Sequence, residues 1–146
     1  MPDVPGAYLL LIDLPRPASL PPRFAATLPP GLYVYAGSAN GPGGIRARAG
    51  RHLRHDKPKR WHVDWLTEIA ACTALPLTDA SECVAVGALA AHDVFATPVA
   101  GFGSSDCRTC AAHLLRWAGH GGSSAVKRAI LRALASDDRS APLSGT

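Results

Sequence analysis

The chain has 146 residues, a formal net charge of +4, and a composition in which 47% of residues are apolar and 18% charged. This excludes wholesale disorder and points to one domain, large enough to bury a core without disulfide or metal staples. No apolar stretch reaches the ~18 residues of a membrane crossing, and the N-terminus lacks the features of a secretory leader. The expected compartment is the cytoplasm, with the four cysteines reduced.

Residues 7–13 are short, apolar and followed by Pro15, which reads as a buried strand. Residues 14–30 are proline-rich and read as an irregular connection with at most a short strand around Phe24. Residues 31–36 alternate aromatic and aliphatic side chains and predict a second strand that pairs with the first as a long hairpin. Pro29 and Pro30 fit only its edge or its start. A glycine-rich loop follows, then a helix over 45–55 built largely of alanine and arginine, ended by the Lys57-Pro58-Lys59 break. Helical spacing of Trp61, Trp65, Leu66 and Ile69 predicts a second helix over 61–71.

Residues 73–77 predict a third strand, and 79–91 an apolar, buried helix. A short strand is expected within 94–103, a helix over 107–117 and a last helix over 124–135, with Lys127, Arg128 and Arg132 on its surface. Residues 136–146 are small and polar and read as a frayed tail behind a single domain spanning 1–135. The sum is an α+β fold, a small sheet covered by helices.

Charge is concentrated. Seven of the fifteen Lys and Arg residues lie between Arg46 and Arg60, with only Asp56 to oppose them. Arg46, Arg51, Arg54, Lys57, Lys59 and Arg60 therefore form a candidate surface for a phosphate backbone, with Ser38 and His62 beside it. Glycines let a backbone approach an anion, the helix N-terminus offers free N–H groups, and arginine forks fit phosphate. The alternative is a solvated helix face. Arg48 and His52 stand four apart and share one helix face, so one could hold a phosphoryl group while the other handles its proton. Tyr33 and Tyr35 share one sheet face; with Tyr8 they either enter a polar cleft or pack in the sheet.

Glu82 is the odd carboxylate in an apolar helix. It is either a ligand for a hard cation such as Mg²⁺ or the far half of a capping box with Asp79. Cys107, Cys110 and His113, with Cys83, have the makings of a Zn²⁺ site; a reduced, partly buried thiol pair is the other reading. His62 either lines the basic cleft or serves the polar side of the second helix.

In order, these residues resemble the GIY-YIG nuclease superfamily. Gly6-Ala7-Tyr8 stands at its first motif and Tyr35-Ala36-Gly37 at its second. Arg48, then His52 one turn later, and the later helix carboxylate Glu82 follow in the superfamily's order. The run Gly31 to Ala39, Arg51-His52-Leu53, Trp61 to Leu66, Glu82-Cys83 and Phe102 to Cys107 are similar to an uncharacterised branch sometimes fused to endonuclease III. The chain departs from the usual short hairpin in the long 14–30 connection, and its loop after Tyr35 is longer, with Gly41 to Gly44 inserted.

The resemblance implies a three-stranded, mainly antiparallel sheet flanked by helices. It also implies metal-assisted hydrolysis of phosphodiester bonds in DNA (or RNA), with a place in repair and a repair-protein partner. Under it Glu82 holds Mg²⁺ or Mn²⁺, Tyr8 orients or deprotonates the attacking water with help from Tyr35 and His52, and Arg48 neutralises the phosphate. Two competing expectations are a nucleic-acid-binding module without cleavage and a zinc-stabilised interaction domain. Oligomeric state is not encoded in any of these motifs.

Overall fold

The computed structural model describes residues 6–20, 27–39, 44–45, 50–51, 64–67, 70–77, 82–92, 94–96 and 113–144. Seven strands and three helices are bounded among them. The strands are β1 (Gly6–Leu14), β2 (Ala18–Ser19), β3 (Thr27–Leu28), β4 (Gly31–Ala39), β5 (Ala71–Leu77), β6 (Phe95–Ala96) and β7 (Leu114–Trp117). The helices are α1 (Asp64–Thr67), α2 (Glu82–Ala90) and α3 (Ser123–Ser144).

The fold is α+β, as expected. Its main sheet is antiparallel and has five strands in the order β5-β1-β4-β7-β6. The long hairpin is present: β1 pairs with β4 from Gly6↔Ala39 to Leu14↔Gly31. On its other side β1 pairs with β5, from Ala7↔Leu77 to Asp13↔Ala71. The trio β5-β1-β4 matches the expected sheet, and β7 and β6 extend it. Proline falls where a sheet tolerates it: Pro76 lies on edge strand β5, and Pro29 and Pro30 precede β4.

The run Leu9-Leu10-Leu11-Ile12 shows no alternation because both faces of β1 are covered, and all four residues are buried. One face joins Tyr8, Leu10, Ile12, Leu14, Tyr33 and Tyr35 to Leu114 of β7, Ile45, Leu66 of α1, Leu28 of β3 and Leu20 just after β2. The other face joins Leu9, Leu11, Val34 and Ala36 to Ala85, Val86 and Leu89 of α2 and to Val126, Ile130 and Ala133 of α3. Two layers of side chains thus sandwich the central hairpin.

Four expectations change. Residues 114–117 form β7, not the end of a helix over 107–117. Leu114-Leu115 is a short apolar run that a helix or a strand could use; pairing with Val34 and Tyr35 decides it, placing one leucine in each core. The helix read over 61–71 ends earlier: the Ala70 amide donates to the Leu66 carbonyl (3.1 Å), and Ala71 already lies opposite Asp13. The 14–30 connection carries two short strands, β2 and β3, that pair with each other; Phe24 lies outside the described residues. The last helix runs on to Ser144, past the end expected at residue 135. Among the described residues no helix is long and apolar enough to cross a membrane.

Candidate active site

The β1-β4 register sorts the three tyrosines. Tyr8 lies opposite Gly37, and Leu10 opposite Tyr35. Tyr8 and Tyr35 are therefore diagonal neighbours on one face, within reach of long side chains. Both rings lean over Gly37: a Cβ added there would lie 2.5 Å from the Tyr8 hydroxyl oxygen and 3.1 Å from Cε2 of Tyr35. Only glycine leaves room for the phenol end of Tyr8. Tyr8 is 1% exposed and Tyr35 7%, so the pair forms a sheltered polar point in an apolar layer.

Tyr33 is engaged differently. Its hydroxyl donates to the Pro29 carbonyl at 2.6 Å, tying the turn before β4 to the sheet. Burial pushes its phenol pKa up, and the cation of Arg116, opposite it on β7, offsets part of that. Tyr33 is a structural clamp; Tyr8 and Tyr35 are the pair that converges.

The basic segment is anchored beside them. Gly44 and Ile45 are helical and buried, and Gly44 has φ 59°, a conformation that glycine adopts without strain. A Cβ on Gly6 would come within 2.9 Å of Cδ1 of Ile45, so the helix start presses on the first residue of β1, two positions before Tyr8. Gly50 and Arg51 are also helical, in agreement with the helix expected over 45–55; Arg51 is half-buried. Arg46, Arg48, His52, Arg54, Lys57, Lys59, Arg60 and His62 lie outside the described residues. Ser38 is paired with Ala7 in the sheet.

Glu82 opens α2. The chain leaves β5 at Leu77, whose partner Ala7 adjoins Tyr8, and enters α2 at Glu82. The helix then packs on the second face, so its body lies across the sheet from the tyrosine pair. The candidate capping partner Asp79 is outside the described residues.

Of the zinc candidates, Cys83 follows Glu82 in α2, and His113 is buried at the entrance to β7, where its carbonyl accepts the Ala36 amide at 2.9 Å. Cys107 and Cys110 lie outside the described residues. Among the described residues no three His, Cys, Asp or Glu side chains gather in a metal-binding group.

Sequence reasoning did not single out a cavity on the second face. It is formed by His92, Trp117, His120, Arg128 and Arg132 with small apolar neighbours. These residues come from three separate stretches of chain, so no local pattern announces the cavity. Only the exposed arginines of the last helix were legible.

The described residues thus show an antiparallel sheet with its central hairpin covered on both faces, a pair of tyrosines meeting over a hairpin glycine, and a helix start at Gly44-Ile45 packed at the same sheet end. The family model described as a domain of unknown function, DUF123, matches residues 7–135, and the chain belongs to that family. No curated protein and no solved structure matches it.

Proposed function

We propose that this DUF123 domain belongs to the GIY-YIG superfamily and is a divalent-metal-dependent endonuclease that hydrolyses phosphodiester bonds in DNA. The observation that carries the reading is the convergence of Tyr8 and Tyr35 over Gly37. The first and second motifs are separated by a long proline-rich connection, yet their tyrosines meet at one glycine. A packing role alone does not require two phenols to crowd a residue that lacks a side chain.

Within this reading the Tyr8 phenol orients the attacking water or, as the phenolate, takes up its proton to become the neutral hydroxyl, a contribution of about 10²–10⁴ in rate for a positioned acid–base group. Tyr35 fixes the direction of that hydroxyl. Arg48 neutralises charge growing on the phosphate, and His52, one turn on, assists proton transfer. The remaining cations, from Arg46 to Arg60, hold the flanking backbone.

Glu82 would hold the cation. The carboxylate that opens α2, on the chain leaving the Tyr8 end of β5, is a hard oxygen donor, and it fits Mg²⁺ or Mn²⁺ that keep most of their waters. When bound, such an ion supplies positive charge to the scissile phosphate and the leaving oxygen.

The test is a panel of branched, nicked, damaged and single-stranded DNA and RNA with Mg²⁺ or Mn²⁺. The wild-type chain is expected to cut at least one substrate, whereas Arg48→Ala and Glu82→Gln bind it without cutting. Binding across the panel with no cleavage by the wild type would replace the nuclease by a nucleic-acid-binding module.

A further inference from the structure

The cavity on the second face has a volume of about 350 Å³, at the low end of the ~300–1,000 Å³ typical of small-molecule sites. Its walls combine two kinds of chemistry. Arg128 and Arg132 stand four apart on α3 and share a helix face. His92, just beyond α2, and His120, just beyond β7, also line the cavity. Among the described residues no carboxylate lines the cavity. Trp117 lines it too, and its orientation is fixed: its Nε1–H donates to the Gly121 carbonyl at 3.2 Å, and its ring meets Phe95 edge-on at 5.5 Å. The backbone at Gly119 packs so closely that a Cβ there would lie 2.6 Å from Cζ2 of Trp117. Small residues of α3, Ala125 and Ala129, complete an apolar wall.

Such a site suits a ligand that is anionic at one end and flat and apolar at the other. Arginine forks take phosphate oxygens in pairs, and an immobilised indole offers a surface to a base. We propose that this cavity binds one nucleotide unit, with its phosphate on Arg128 and Arg132 and its base against the Trp117 wall. The unit is either a free nucleotide or one residue of a single strand. The site lies across the sheet from Tyr8 and Tyr35, on the α2 and α3 face, and does not rest on the nuclease reading.

The experiment follows the Trp117 indole N–H resonance of the full chain by NMR, identified by its absence in Trp117→Phe. Titrants are adenosine 5′-monophosphate, adenosine, inorganic phosphate and a short single-stranded oligodeoxynucleotide. The monophosphate, the oligonucleotide or both are expected to shift the resonance saturably, with adenosine and phosphate each about tenfold weaker or more. The double variant Arg128→Gln with Arg132→Gln is expected to bind at least about tenfold more weakly. Both arginines are exposed, so the variant keeps its fold, which its amide spectrum verifies. Tight binding of the monophosphate assigns the free nucleotide as ligand, and response to the oligonucleotide alone assigns the strand. The proposal is overturned if neither moves the resonance, if adenosine binds as tightly as its monophosphate, or if the double variant binds like the wild type. Cleavage by the double variant is read separately, so failure here and failure of the nuclease reading are distinguishable.

Discussion

Gly37 is the residue on which the tyrosine geometry turns. A methyl group there would overlap the Tyr8 hydroxyl and press on the Tyr35 ring, so Gly37→Ala must push Tyr8 out of place. The expected cost is about 1–3 kcal/mol, as for other overpacked sites, together with loss of cleavage; urea unfolding and a cleavage assay on the same variant measure the two. Tyr33 makes the opposite prediction. Removing its hydroxyl in Tyr33→Phe deletes one hydrogen bond to Pro29 and costs about 1 kcal/mol, with cleavage retained. Its raised pKa has a definite sign: the folded protein holds the phenolic proton more tightly than the unfolded chain does. This contribution to stability is complete below the unfolded value near 10 and declines as pH rises through the folded value. Denaturant titrations between neutral and alkaline pH should show that decline in the wild type and less of it in Tyr33→Phe.

Among the elements, β1 carries most of the organisation, because its two neighbours and both cores meet on it. Its identity was readable from an unbroken apolar run, and so was that of β4, from alternation. The register that sets Tyr8 opposite Gly37 was not readable, since it depends on how the long connection closes. The strand at 114–117 was hidden for a related reason. Leu114-Leu115-Arg116-Trp117 has no period long enough to distinguish strand from helix, and only the exposed edge of β4 recruits it. Helix α2 was legible from composition, but the face it covers was not. Because Leu89 is fully buried against the second core, Leu89→Ala should destabilise by about 2–5 kcal/mol, measured by chemical denaturation.

For the whole molecule, basic residues concentrate in two regions of the chain. One is read from sequence, between Arg46 and Arg60; the other is the α3 cavity, visible only after folding. The modest net charge of +4 conceals both. If the first region grips a phosphate backbone, DNA affinity should fall steeply with salt, on the order of 10³ between 50 and 200 mM for about six contacts. A nearly flat salt dependence in a binding titration would remove that surface from the account. The central claim is the division among the tyrosines, and single-turnover cleavage of one cut substrate by the wild type, Tyr8→Phe and Tyr33→Phe tests it most directly. The account predicts that Tyr8→Phe loses about 10²-fold or more in rate while remaining folded, and that Tyr33→Phe cuts at close to the wild-type rate. Equal rates for Tyr8→Phe and the wild type would contradict it.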